Sequence, residues 1–200
     1  MSGRAPRVGV LALQGAFREH VATLRALGAD AYEVRTPAEL AGADGLVLPG
    51  GESTAIGKLL ASSGLDEALT RFDGHMLGTC AGMIALARVI ADGLAGQRGL
   101  GLIDLTVRRN GYGRQVRSFE APLELAGSDR PFPGVFIRAP RIERAGDGVE
   151  VLATLDGEPV AAAQGRIMVA AFHPELTGDR RLHERFLARV REDAGAGVVA

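Results

Sequence analysis

The sequence predicts an α/β protein that has a mixed, mostly parallel sheet with helices on both faces. Short apolar runs alternate with helical patterns through the first half of the 200-residue chain. The first run, residues 8–13, has little polar alternation, which is typical of a strand covered on both sides. Repeated strand–helix units favour parallel pairing, right-handed crossovers and functional loops at the carboxyl ends of the strands.

The individual elements follow from the spacing of apolar residues along the chain. Four apolar residues at helical spacing predict a helix over residues 17–27. A second helix is predicted to begin with Ser53 or Thr54 as its cap, and further helices cover residues 81–91 and 180–190. Strands are predicted at residues 8–13, 31–34, 45–48, 75–77, 105–107, 134–137, 149–152, 160–163 and 167–172. Tight connections indicate that some strands of the second half are antiparallel.

Composition limits the possible functions. The formal net charge is −1, so no strong positive field points to nucleic acid. The single cysteine excludes an internal disulfide and fits a reducing compartment, and no apolar run approaches the length of a membrane span. We therefore expect a cytoplasmic protein without a membrane partner. No linker divides the chain, which predicts a single domain over residues 1–200 with an ordered core at about 7–192.

The single cysteine, Cys80, stands in a Gly-x-Cys-x-Gly frame at residues 78–82. This is the thiol counterpart of the nucleophile elbow, in which a strand turns sharply into a helix and exposes the nucleophile. The flanking glycines permit such a turn, and the start of a helix favours the thiolate form. The alternative is a small buried cysteine without chemistry, which is the common state of a lone cysteine.

A base and an oxyanion site complete the predicted chemistry. His173 follows the last predicted strand, and Glu175 is placed to orient it if the chain turns at Pro174. The backbone N–H groups of Gly51 and Ala81 are the candidate oxyanion donors, although a Pro-Gly-Gly segment alone is more often a simple turn. His20 and His183 have charged neighbours and are predicted to be solvated, whereas His75 is predicted to be structural. The sequence has no His/Cys cluster with the spacing of a metal site, so neither a metal nor a cofactor is expected.

The motifs at these positions resemble a known family. Gly-Gly-Glu-Ser at residues 50–53, Gly-Thr-Cys-Ala-Gly at 78–82 and Phe-His-Pro-Glu at 172–175 occur in the order found in class I (triad) glutamine amidotransferases. Six segments are similar to the glutaminase subunits of pyridoxal 5′-phosphate synthases: residues 11–20, 48–54, 109–115, 118–121, 135–140 and 173–177. The resemblance covers nearly the whole chain, from about residue 8 to residue 190.

The resemblance implies a flavodoxin-like glutaminase fold that hydrolyses L-glutamine to glutamate and ammonia. Cys80 is then the nucleophile that forms a glutamyl thioester, with His173 and Glu175 completing the triad. It also implies that ammonia passes to a TIM-barrel synthase subunit in a large hetero-oligomer, with Gln14 and Gly15 at the partner contact. The residues implied to line the glutamine site are Gly51, Glu52, Ser53, Arg109, Ile137 and Arg138.

Three alternatives remain open at this point. The first is a glutaminase that serves another synthase, against which the 109–115 segment argues. The second is a thiol hydrolase or deglycase on a related fold, against which His-Pro-Glu argues. The third is a non-catalytic assembly subunit, which the presence of all three triad residues disfavours.

Overall fold

The fold is a mixed sheet flanked by helices, described here in a computed structural model for residues 4–112 and 118–196. The strands are β1 Arg7–Leu11, β2 Asp30–Val34, β3 Gly45–Leu48, β4 His75–Thr79, β5 Ala87–Ile90, β6 Ile103–Arg108, β7 Ser118–Leu125, β8 Phe132–Ile137, β9 Arg141–Ala145, β10 Glu150–Leu155, β11 Glu158–Gln164 and β12 Ile167–Ala170. The helices are α1 Phe17–Ala26, α2 Pro37–Leu40, α3 Ser53–Ser63, α4 Leu65–Arg71, α5 Ala81–Leu86 and α6 Arg181–Ala196, with a short 3₁₀ helix at Pro174–Leu176.

The main sheet has nine strands in the order β2-β1-β3-β4-β12-β11-β10-β7-β8. Neighbours from β2 to β12 are parallel, and those from β12 to β8 are antiparallel. A smaller sheet has the order β5-β6-β9. The prediction of a mixed sheet is confirmed: within the main sheet, as far as it is described, the parallel pairs join the five strands β2, β1, β3, β4 and β12, four of which come from the first half of the chain.

Close approaches at two positions of β3 show that helices cover both faces of this sheet. A Cβ on Gly45 would lie 2.8 Å from Val190 and 3.0 Å from Phe186, both in α6. Leu48 is displaced by an odd number of residues and therefore faces the other side, where its Cβ lies 3.0 Å from the Cβ position of Gly82 in α5. The carboxyl ends of β1, β3, β4 and β12 lie side by side, which brings together the loops that follow these strands.

The predicted helix over residues 81–91 is wrong in its second half. Helix α5 ends at Leu86, and Ala87 has the extended angles φ −62° and ψ 154°. Residues 87–90 form β5 instead and pair in parallel with β6. The amide N–H groups of Leu100 and Leu102 bond to the last carbonyls of α5, which ends the helix without continuing its ladder.

The cap of α3 also differs from the prediction, because it is Glu52 and not Ser53 or Thr54. Glu52 has extended backbone angles, and its carboxylate accepts hydrogen bonds from the N–H groups of Thr54 at 2.8 Å and Ala55 at 2.7 Å. A carboxylate at this position satisfies two of the free donors of the first turn and complements the helix dipole. In the described part of the chain, no helix has both the length and the apolar character needed to cross a membrane.

Candidate active site

Cys80 lies at the turn between β4 and α5 with φ 49° and ψ −105°, a conformation that L-residues rarely adopt. The unfavourable backbone angles are those of Cys80 itself. Glycine is required at positions 78 and 82 because other backbone atoms approach both positions closely. A Cβ on Gly82 would lie 2.0 Å from the carbonyl oxygen of Leu48, and one on Gly78 would lie 2.8 Å from the carbonyl of Gly82. This is the strand–turn–helix arrangement of a nucleophile elbow. Because α5 has only six residues, its dipole is smaller than that of the longer helix predicted.

The loop after β12 brings His173 and Glu175 to the cysteine. The His173 and Cys80 side chains line the same cleft, where a Cβ on Gly50 would lie 2.4 Å from His173 Cε1 and 3.2 Å from Cys80 Cβ. His173 Nδ1 lies 2.7 Å from Glu175 Oε1. The His173 N–H donates to the carbonyl of Val135 at 2.8 Å, which fixes the start of the 3₁₀ turn. The turn at Pro174 therefore gives the predicted juxtaposition of a thiol, an imidazole and a carboxylate.

The electrostatics of this group follow from burial and from mutual charge. Burial by itself lowers the pKa of His173, but hydrogen bonds to Cys80 and Glu175, with the charges of both groups, raise the pKa to about 10. Burial by itself raises the pKa of Glu175, but His173 and then His20 outweigh it and hold the pKa well below its usual range. The His173–Glu175 pair is thus an imidazolium–carboxylate pair at neutral pH, with a proton available beside the sulfur.

The prediction that His20 and His183 are solvated is wrong, because both side chains have an exposed fraction of 0%. His20 Nε2 lies 3.3 Å from Glu175 Oε2 and 3.2 Å from Thr79 Oγ1, and its Nδ1 lies 2.9 Å from His183 Nε2. The charged neighbours of these histidines lie on the outer sides of α1 and α6, whereas the histidines themselves share the inner sides with the apolar residues. His75 is also buried, and its Nε2 lies 3.1 Å from Asp193 Oδ2 on α6.

A cleft of about 210 Å³ opens in front of Cys80. Its wall includes the predicted residues Gly51, Glu52, Ser53, Ala81, Arg109, Ile137, Arg138 and His173. Glu175 is not part of the wall because it is buried behind His173. Sequence reasoning missed Ile84 and Asn110, which also line the cleft. Asn110 has φ 39°, and an asparagine beside a glycine is a sequence signal for such a left-handed position.

The segment that carries Gly51 is held from the side of β1. Gln14 Oε1 accepts a hydrogen bond from the Glu52 N–H at 3.0 Å and lies 3.1 Å from the Cβ position of Gly51. Gly15 has φ 91°, and a Cβ there would lie 1.7 Å from the carbonyl oxygen of Gly50. Gln14 and Gly15 therefore lie outside the cleft but pack directly against residues 50–52, the predicted oxyanion segment.

The two arginines of the cleft differ in how they are held. Arg109 Nη1 donates to Gln97 Oε1 at 2.9 Å and to Thr54 Oγ1 at 3.3 Å, and Gln97 also donates to Ser53 Oγ at 3.1 Å. Arg138 is exposed and has φ 45°.

Residues 113–115 of the predicted 109–115 motif lie outside the described residues. Within the described ranges no three His, Cys, Asp or Glu side chains are grouped so that they could hold a metal ion.

Comparison with known proteins agrees with this geometry. The SNO glutamine amidotransferase family model matches residues 10–192. The pyridoxal 5′-phosphate synthase subunit PdxT of Deinococcus radiodurans is 56% identical over 193 residues, which cover 94% of this chain and 98% of that protein. PdxT of Mycolicibacterium vanbaalenii is 57% identical over 190 residues, which cover 92% of this chain and 97% of that protein.

A solved structure described as a glutamine amidotransferase has a TM-score of 0.86 and 49% identity, and the match covers 92% of this chain and 98% of that one. This likeness confirms the predicted glutamine amidotransferase fold. With a family model that spans most of the sequence and relatives above half identity, the chain belongs to the SNO glutamine amidotransferase family.

Proposed function

We propose that the chain is the glutaminase subunit of a pyridoxal 5′-phosphate synthase. It hydrolyses L-glutamine to L-glutamate and ammonia and delivers the ammonia to a synthase subunit. The observation that carries the proposal is the Cys80–His173–Glu175 arrangement facing a cleft of amino-acid size in a member of this family. The relatives named PdxT, which match over nearly their full length, support the synthase branch.

In the proposed mechanism, the sulfur of Cys80 attacks the side-chain amide carbon of glutamine. The N–H groups of Gly51 and Ala81 bind the oxyanion that forms. His173, oriented by Glu175, gives its proton to the leaving nitrogen, so that ammonia departs and a glutamyl thioester remains. His173 then takes a proton from water as the water oxygen attacks the thioester carbon. The C–S bond breaks, the new carboxyl group gives up its proton to solvent as glutamate leaves, and the Cys80 thiolate beside protonated His173 is restored. No metal or cofactor takes part in this scheme.

The glutamine site is proposed to use both charged and backbone groups. Arg138 and Arg109, which both line the cleft, supply positive charge for the α-carboxylate of a free amino acid. Because both carboxylate oxygens of Glu52 cap α3, this residue is proposed to act mainly by placing the Gly51–Ser53 backbone. Ile137, exposed by 37%, offers apolar contact at the cleft.

The proposed partner is a TIM-barrel synthase subunit in a large hetero-oligomer, with Gln14 and Gly15 at the contact. Their packing against Gly50 and Glu52 supports this assignment, because a partner there would act directly on the oxyanion segment.

A single domain over residues 1–200 is part of the proposal and is supported by one continuous hydrophobic core. A cytoplasmic location stays a prediction from the single cysteine.

The test is ammonia release from glutamine by the purified chain, alone and with the candidate synthase subunit. We expect strong stimulation by the synthase and no activity in Cys80→Ala, because alanine removes the atom that forms the thioester. Binding of Cys80→Ala to the synthase is expected to be unchanged, since Cys80 is 6% exposed and cannot form much of an interface.

Two outcomes contradict the proposal. Ammonia release by Cys80→Ala at the wild-type rate would exclude the thioester mechanism. A complex that forms without stimulating hydrolysis would instead indicate another synthase partner or a non-catalytic subunit.

A further inference from the structure

The carboxylate of Glu175 has a second oxygen that the proposed reaction does not use. Oε1 lies 2.7 Å from His173 Nδ1, whereas Oε2 is buried and has no hydrogen bond of regular geometry among the described residues. His20 Nε2 lies 3.3 Å from Oε2, although the approach is not a straight hydrogen bond. An ionised oxygen buried without a donor is costly, so this contact matters for the charge state of Glu175.

The positions of the protons follow from what each atom can do. The ionised carboxylate of Glu175 only accepts, so His20 Nε2 must carry a hydrogen. His183 Nδ1 is buried without a hydrogen-bond partner in the described chain. Burial lowers the pKa of His183 to about 3, so this ring is neutral. A bare Nδ1 leaves only a lone pair unsatisfied, whereas an N–H there would be a buried donor without an acceptor.

The proton on His183 therefore sits on Nε2, which lies 2.9 Å from His20 Nδ1 and donates to it. His20 Nδ1 is then an acceptor, which leaves the single hydrogen of that ring on Nε2. Donation therefore runs from His183 to His20, and the Nε2–H of His20 faces the ionised Oε2 of Glu175 at 3.3 Å as a close charge contact. The N–H of His20 is shared with the hydroxyl of Thr79 at 3.2 Å, the residue immediately before the nucleophile.

We propose that His20 is a positioning residue of the active site: its Nε2–H holds the Glu175 carboxylate in the orientation that meets His173, and His183 fixes the tautomer of His20. The inference rests on the proposed function, because Glu175 matters only if His173 works as the acid and base. Helix α1 contacts the 3₁₀ turn that carries Glu175, so the positioning is transmitted between two elements distant in sequence.

Two substitutions of similar size separate positioning from packing. In His20→Gln the amide nitrogen can occupy the place of Nε2 and still donate to Glu175, whereas in His20→Asn the shorter amide reaches only the place of Nδ1. We expect His20→Asn to lower kcat for glutamine hydrolysis by about tenfold to a hundredfold, by analogy with the loss seen when outer partners of metal-binding histidines are removed, with KM nearly unchanged. His20→Gln is expected to recover a large part of that loss.

Thermal unfolding of the two variants provides the control. Both remove ring atoms from a buried site, so a packing role predicts parallel losses of stability and of kcat. Equal kcat values in His20→Gln and His20→Asn, or a change in KM alone, would overturn the proposal.

A measurement on the wild-type chain does not depend on the folding of any variant or on glutamine hydrolysis. Long-range ¹H–¹⁵N NMR of the histidine rings reports the tautomer of each of the four histidines. We expect both His20 and His183 to be Nε2–H tautomers at neutral pH. An Nδ1–H tautomer at His20 would overturn the inference even if the glutaminase activity is found. If no glutaminase activity is found but the Nε2–H tautomers are, the proposed function fails while the histidine arrangement stands.

Discussion

Arg138 combines a positive charge with a left-handed backbone conformation at the edge of the cleft. Such a φ is unfavourable for arginine and is found where the surrounding structure requires it. We expect Arg138→Ala to raise KM for glutamine by about tenfold to a hundredfold, because a hydrogen-bonded charge contributes about 1.5–3 kcal/mol. The value of kcat should change much less, since this contact is the same in the ground state and the transition state. Steady-state kinetics with the synthase present measure both constants.

Arg138→Asn is the matched control for the backbone. Asparagine accepts a positive φ more readily than alanine, so it removes the charge without adding strain. If charge is the cause, both variants have the same raised KM. A normal KM in Arg138→Asn would mean that Arg138 acts through its backbone and not by holding substrate.

At the level of elements, the turn from β4 into α5 depends on close backbone contact with β3. A Cβ on Gly82 would lie 2.0 Å from the Leu48 carbonyl oxygen, so Gly82→Ala must push the two elements apart. We expect a loss of about 1–3 kcal/mol in the free energy of unfolding, the usual cost of overpacking. Ammonia release should fall as well, because Cys80 is carried by the same turn. Denaturant unfolding and the ammonia assay measure the two effects.

Gly57 in α3 is the control for this substitution. No atom lies within 4 Å of a Cβ placed on Gly57, so alanine there meets open space. Gly57→Ala is expected to raise the free energy of unfolding by about 0.5–1 kcal/mol through helix propensity. A Gly82→Ala protein as stable and as active as the wild type would contradict the close packing of α5 on β3.

Elements with a regular apolar pattern were predictable, and those without one were not. Helix 81–91 was predicted too long because Val89 and Ile90 continue the apolar run of α5, and periodicity cannot distinguish a helix end from a buried strand that follows it. Strand β9 escaped prediction because its sequence, Arg-Ile-Glu-Arg-Ala, has no apolar run, and its place is set by backbone pairing with β6. Strand β7 was not predicted either, because a proline within a run argues against a strand. Its Pro122 lies opposite Pro133 of β8, away from Glu124 and Leu125, the residues that pair with β10.

At the level of the whole molecule, the motifs located most residues of the cleft wall and the Glu175 carboxylate behind His173, but not Ile84, Asn110 or the two histidines behind Glu175. Motifs identified Cys80, His173 and Glu175 because they follow strands whose carboxyl ends meet. His20 and His183 were misjudged from their charged neighbours in sequence. His20 is three residues after Phe17 and four before Leu24, so helical spacing alone puts it on the apolar side of α1. That two such helices pack with their histidines in contact depends on tertiary structure.

The buried His183 makes the stability of the whole chain depend on pH. Its folded pKa of about 3 lies below the ordinary value of 6.5, and the groups around it are His20 on α1, Glu175 in the 3₁₀ turn and Arg180 before α6. Between these two pH values the unfolded chain binds a proton that the folded chain does not. The stability that the folded chain gains by keeping His183 neutral is therefore fully present above pH 6.5, and it is lost as the pH falls toward 3.

His183→Gln removes this titration while keeping a donor near His20. We expect the free energy of unfolding of the wild type to fall more steeply than that of the variant between pH 6.5 and 4, by up to about 1.4 kcal/mol per pH unit for one proton. Urea unfolding of both proteins at several pH values gives the difference, in which the carboxylates common to both cancel. Parallel pH dependences would mean that His183 takes up a proton as readily in the folded chain as in the unfolded chain, which would contradict its burial as a neutral ring.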